Sequence, residues 1–242
     1  MSKDKRAKDP HRRSPHAMLR LRRSRVTVCI QAGGLARHEA EEFAALVSRG
    51  IRDIERLLGR KSRARLRLEV SSEVNISAAR GRTIRLPLHR VREGSAPYLH
   101  ETVHALVPCP HVPEWFGEGL ACYLECAVSE LFGGYDSRLF TADGNRGVDA
   151  DAARWLADPR GRAVLRFVGA RGQPLEISRD RHNVAAPFYV LSHSLVKFLA
   201  EGVGIQTLVR LTRARRFAAE LRRATGRTTG AWRANWLASL RR

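Results

Sequence analysis

The spacing of apolar residues changes several times along this 242-residue chain, and each change predicts an element. Residues 1 to 24 have no hydrophobic period, are dense in Lys and Arg and contain Pro10 and Pro15, which predicts a disordered basic arm. Val26 to Ile30 is a short β-branched run. After Gly33 and Gly34, the residues Phe43, Val47, Ile51, Ile54 and Leu58 recur at intervals of four and three, the period of an amphipathic helix closed near Gly59. Arg65 to Val70 alternates, with Leu66, Leu68 and Val70 on one side of a strand. Thr83 to Val91 places Ile84, Leu86 and Leu88 together in the same way. Pro87 has no amide proton, so this strand is expected at a sheet edge, where a further strand can add.

From Ser95 the pattern becomes helical. Ser95 can cap a helix that tolerates Pro97 in its first turn and runs to about Val107. Pro108, Pro110 and Pro113 stop it. A second helix, Glu114 to Leu131, follows from Leu120, Leu124, Val128 and Leu131 and ends at Gly133 and Gly134. Residues 135 to 183 are mixed, with short helices expected near Ala150 to Ala157 and Gly161 to Val168. Pro187 to Ala200, Ile205 to Arg223 and Thr229 to Leu240 complete the chain as three helices, and no internal repeat is present.

Composition narrows the class. With 43% hydrophobic and 28% charged residues, the chain has enough apolar surface for a core, which excludes wholesale disorder. The net charge of +20 is uneven: residues 1 to 25 carry +8, residues 207 to 242 carry +9, and the middle keeps +3. Basic termini of this kind can meet nucleic acid, acidic partners or an anionic membrane surface, or can simply be solvated. No binding motif or run of stacking aromatics accompanies them. No apolar stretch is long enough for a transmembrane helix or a secretory signal, so a cytoplasmic location is expected. Cys29, Cys109, Cys122 and Cys126 form no disulfide framework, and with His111 they lack the CxxC spacing of a strong structural zinc site.

The chemistry concentrates at His100-Glu101-Thr102-Val103-His104, an HExxH sequence. Four residues apart on a helix, the two imidazoles face one point and can bind one zinc ion, while Glu101 projects beside it. A catalytic zinc needs a third protein ligand and an open position. His111, Glu114 and Glu118 are the downstream candidates. His111 does not fit the HExxHxxGxxH register, because Val107 and Pro110 stand where Gly and His are needed. Glu114 opens the second helix, where an acid already favours the helix dipole. Glu118 lies one turn further in, flanked by Gly117 and Gly119, and a tight proline-rich reversal can bring it to His104. Glu118 is therefore favoured.

HETVH followed by PEWFGEGLACYLE resembles the gluzincin metallopeptidases of the peptidase MA-like, thermolysin-related type, whose pattern is HExxH and then P-x-W-x-x-EG-x-A-x-Y. The specific match covers Leu99 to Glu125, with a weaker likeness through Tyr189, LVKFLAEGVG and TGRTTGAWRANWLASL. The resemblance implies an α+β zincin-like fold in one domain from residue 25 to 242, with the sheet and active-site helix in 25 to 107 and a helical lobe in 108 to 242. It implies one zinc ion held by His100, His104 and Glu118, Glu101 as general base, a peptide or protein substrate, and a docking role for Thr83 to Val91. Tyr189, which aligns with a recurrent Tyr of the family, is the first choice as oxyanion donor and His193, one turn on, the second. The chain departs from the family at Cys122, where an acid usually orients a zinc-binding His; either Glu125 or a backbone carbonyl serves in its place, or Cys122 merely packs. Two rival readings follow: a metal-binding zincin-like protein without efficient proteolysis, and a basic nucleic-acid-binding protein in which HETVH is incidental.

Overall fold

The computed structural model describes residues 18–23, 25–62, 65–135, 143–170 and 184–241. Five strands form one mixed sheet: β1 (Met18–Arg23), β2 (Val26–Gln31), β3 (Leu66–Ser71), β4 (Ala78–Arg80) and β5 (Thr83–Pro87), in the order β1-β2-β3-β5-β4. β2, β3 and β5 run parallel, with Val28 beside Leu68 and Leu68 beside Ile84; β1 and β4 pair antiparallel at the two ends. Parallel neighbours need a crossover, and helix α1 (Arg37–Leu57) supplies it between β2 and β3. The alternating residues Val26, Val28, Ile30, Leu66, Leu68, Val70, Ile84 and Leu86 are buried against the Ala40, Ala44, Val47, Ile51 and Ile54 stripe of α1. The predicted periods of two and of three to four thus meet in one core.

Among the described residues nine more helices follow: α2 (Leu88–Arg92), α3 (Tyr98–Leu106), α4 (Glu114–Phe132), α5 (Gly144–Ala157), α6 (Pro159–Val164), α7 (Ala185–Val203), α8 (Ile205–Leu211), α9 (Phe217–Thr225) and α10 (Thr229–Ser239). The architecture is α+β, a small mixed sheet leading into a helical C-terminal part. Helix α3 sits against β4, β5 and α1, while α4 packs on α3 and makes the most extensive helix contact of the fold with α7. No single described helix is long and apolar enough to cross a membrane.

Four sequence expectations are corrected. Part of the basic arm is ordered: Leu19 and Leu21 alternate with Arg20 and Arg22, half-bury their side chains against the core and build β1. Residues 1–17 lie outside the described residues. The strand from Thr83 is not the edge and stops at Pro87, which caps α2 instead. Its outer neighbour β4 reaches only as far as Arg85, two residues short of Pro87, and β4 carries the free edge. Pro97 rather than Ser95 caps α3. Finally, the helix expected from Ile205 to Arg223 breaks into α8 and α9. Leu208 and Phe217 are both buried, yet nine residues of continuous helix would place them about 180° apart. The break turns Phe217 back onto Trp115 and Phe116, at ring separations of 5.9 and 4.6 Å.

The α4–α7 contact depends on Gly119. A Cβ built there would stand 2.3 Å from the carbonyl oxygen of Ser192 and 2.8 Å from Val196 Cγ2. Since backbone cannot yield as a flexible side-chain tip does, Gly119→Ala should lower unfolding stability by about 3 kcal/mol. Urea denaturation checks this, and an unchanged midpoint would mean that the two helices are free to separate.

Candidate metal centre and cleft

Helix α3 presents His100 and His104 one turn apart, and the seven-residue connection with its three prolines returns the chain so that the first turns of α4 face them. His100 Nε2 lies 3.0 Å from His104 Nε2 and 3.1 Å from Glu118 Oε2, and His104 Nε2 lies 3.3 Å from the same oxygen. Ligands of a tetrahedral zinc at about 2.0–2.2 Å stand about 3.3–3.5 Å apart, so this donor set fits one ion. Two imidazole nitrogens and a carboxylate oxygen crowded on one point require a cation or a proton between them. The sequence-predicted His100, His104 and Glu118 are therefore brought together. His111 is exposed on the turn, and Glu114 lines the cleft from the start of α4; neither joins this group. Among the described residues, no group pairs Cys109 or Cys126 with His111 in a metal-holding arrangement.

The other side of His100 is equally specific. Its Nδ1 faces Cys122 Sγ and Glu125 Oε2, each at 3.7 Å. Glu118, Cys122 and Glu125 fall at i, i+4 and i+7, one face of α4. Cys122 thus meets the imidazole, and a fully buried carboxylate one turn on, Glu125, meets it too. Burial works against a charged His100, but Cys122, Glu118 and Glu125 outweigh it and hold the imidazole well above its ordinary pKa. Burial pushes the Cys122 thiol itself up to about 11, against the opposing pull of His100. Burial also disfavours the Glu118 carboxylate, yet His104 and His100 overcome this and keep it well below the usual range.

Glu101 is 7% exposed, and burial raises its carboxyl pKa against the opposing pull of His100 and His104. It accepts a backbone hydrogen bond from Ala79 of β4. Sequence reasoning missed this wall of the site; its signal is Gly81, at φ +60°, in the two-residue turn that folds Ala78–Arg80 onto Thr83–Arg85. Ala78, Ala79, His100, Glu101, His104 and Glu118 border a cleft of about 710 Å³. Tyr189 of α7 borders it too, its ring centroid 5.9 Å from that of His100. Burial, reinforced by Glu118, raises the Tyr189 hydroxyl pKa, so it stays an O–H donor.

His193 is not brought to this cluster. One turn after Tyr189, α7 has moved past the cleft, and the His193 ring is fully buried with Nε2 2.6 Å from Asn145 Oδ1 of α5. Its position gives no support to the oxyanion role expected of it. Burial pushes its pKa down from 6.5 to about 3. The imidazole is neutral in the fold and takes up a proton on unfolding, so it contributes stability above about pH 6.5 that is lost as the pH falls toward 3. His193→Gln, which cannot protonate, should flatten the fall in melting temperature between about pH 6 and 4 while leaving zinc content unchanged. An equally steep fall in the variant would remove His193 from the acid sensitivity.

No protein-family model and no curated protein matches the sequence. Solved structures do. An M1 zinc metallopeptidase from Deinococcus radiodurans, in a mutant form, is similar with a TM-score of 0.50 and 16% identity, covering 87% of this chain and 48% of that one. The same mutant bound to a Tyr-Ser-Ala substrate gives 0.48 and 16%, covering 91% and 51%. This chain spans about half the length of the structures it matches. The likeness to the first structure shows a shared fold; independently of it, His100, His104 and Glu118 are grouped closely enough to hold a metal ion.

Proposed function

We propose that this chain is a zinc-dependent metallopeptidase of the HExxH-plus-Glu type, hydrolysing peptide bonds in the cleft between β4, α3 and α4. The observation that carries the reading is the convergence of His100 Nε2, His104 Nε2 and Glu118 Oε2 within 3.3 Å of one another. These three would hold the ion, which when bound supplies Lewis-acid polarisation of the scissile carbonyl and lowers the pKa of water.

The chain's own groups do the rest. Glu101, adjacent to the cluster and with a raised pKa, takes the proton from the attacking water and delivers it to the leaving amine. The Tyr189 hydroxyl donates to the developing oxyanion. The Cys122 thiol, in hydrogen-bond contact with Nδ1, and the Glu125 carboxylate 3.7 Å from the same nitrogen orient His100, as a metal-bound imidazole needs. That arrangement weighs against the rival in which Cys122 leaves the site without an acid and metal binding without proteolysis. The free edge of β4 takes over the docking role expected of Thr83 to Val91, since an extended peptide added there passes the cluster.

Hydrolysis of an internally quenched peptide, abolished by a chelator and restored by zinc, is the expected result. Stoichiometric zinc without hydrolysis of any peptide would favour the non-proteolytic reading. Tyr189→Phe should lower kcat by about 10²–10³-fold, with KM and zinc content little changed. A variant of unaltered kcat would take the hydroxyl out of the reaction.

A further inference from the structure

The basic C-terminal segment is not used by the reaction, and it is not spread evenly over the surface. Arg210, Arg213, Arg215, Arg216 and Arg223 line one concavity of about 620 Å³, with Glu220 the acid among them. Glu220 is already paired with Arg223 at 2.6 Å. Arg213, Arg215 and Arg216 are exposed and make no ion pair among the described residues. Arg213 also faces a basic neighbour: burial and then Arg213 lower the pKa of Arg60. Guanidinium groups gathered in one concavity repel each other and focus a positive field, which an anionic ligand relieves.

This concavity is joined to the proposed reaction site. It shares Arg216 and Arg223 with a second cavity of about 1200 Å³, to which Arg222 contributes as well. That cavity in turn shares Pro110, Val112 and Pro113 with the cleft at His100, Glu101 and Glu118. The turn that positions Glu118 is thus the ridge between the metal cluster and the arginines.

We propose that the arginine-lined concavity between α8 and α9 binds carboxylate side chains of an acidic polypeptide whose backbone continues over the Pro110–Pro113 ridge into the metal cleft. This rests on the peptidase reading above and gives it a substrate class. Guanidinium groups match carboxylates bidentately, which gives selectivity as well as attraction. A polypeptide is favoured over a nucleic acid by two features. The aromatic of the lining, Phe217, is 5% exposed and offers no stacking face for bases. The connected cleft is bordered by Ala78 and Ala79 of the edge strand β4, which can pair with a polypeptide backbone but not with a phosphodiester one.

The test is fluorescence anisotropy with the full chain, zinc-loaded and carrying Glu101→Gln so that nothing is consumed. The probes are a fluorescein-labelled dodecapeptide of alternating Ala and Glu, its Gln counterpart, and a single-stranded DNA dodecamer. The acidic peptide should bind about tenfold or more tighter than the Gln peptide at about 0.1 M salt, with the difference shrinking as salt is raised. Arg213→Gln/Arg216→Gln should erase that difference, while the same pair in the otherwise wild-type chain leaves hydrolysis of a neutral peptide unchanged. Circular dichroism confirms that these exposed substitutions leave the fold intact. Equal binding of the two peptides, a preference that survives the double substitution, or DNA binding tighter than the acidic peptide would each overturn the proposal. Failure of the peptidase reading registers separately, as no hydrolysis of acidic or neutral peptides by the wild-type chain.

Discussion

Glu101→Gln should leave zinc binding intact and reduce peptide hydrolysis by about 10²–10⁴-fold, the range a general base contributes. The carboxylate is not among the converging donors, so removing its charge takes no ligand from the ion. It lies instead on the cleft side, buried, hydrogen-bonded to Ala79, and held above its ordinary pKa chiefly by that burial. A carboxylate so placed is a stronger base than a solvated one. Gln keeps the volume and can keep the Ala79 contact through its amide oxygen, so the loss should fall on kcat. Steady-state kinetics beside metal analysis checks this. If zinc were lost together with activity, Glu101 would be a structural support for the site rather than its base.

Glu118→Ala should lower zinc affinity by roughly a thousandfold, because the about 10–16 kcal/mol available to a four-ligand zinc site is divided among its ligands. A further consequence follows from charge. Without Glu118 the two imidazoles face each other at 3.0 Å with no carboxylate between them, so protonation of either one repels an ion as well. Competition against a chromophoric chelator measures the affinity. An affinity within threefold of wild type would show that the ion is held elsewhere, and the group formed by His100, Cys122 and Glu125 would be the next place to look.

HETVH was legible because a helix repeats every 3.6 residues, and no long-range information is needed to place His100 and His104 on one face. Glu118 needed one more inference, a reversal at Pro108, Pro110 and Pro113, and prolines announce such turns locally. The sheet edge was harder. Pro87 pointed to an edge that its strand does not occupy, because β4 is three residues long with no apolar alternation and only Gly81 hinted that another strand lay outside. In β1 the arginines between Leu19 and Leu21 hid an alternation that was present all along. His193 misled for a different reason. It shares a helix with Tyr189, but its partner Asn145 belongs to α5, in the stretch whose order the sequence did not resolve, and packing between distant elements leaves no local period to read.

Elemental analysis of the purified full chain, after equilibration with zinc and removal of the excess, tests the metal centre most directly. One zinc per chain is the predicted content, reduced to near zero by His104→Ala. A wild-type chain that retains no zinc, although folded, would contradict the assignment of His100, His104 and Glu118 as a metal centre and with it the peptidase reading.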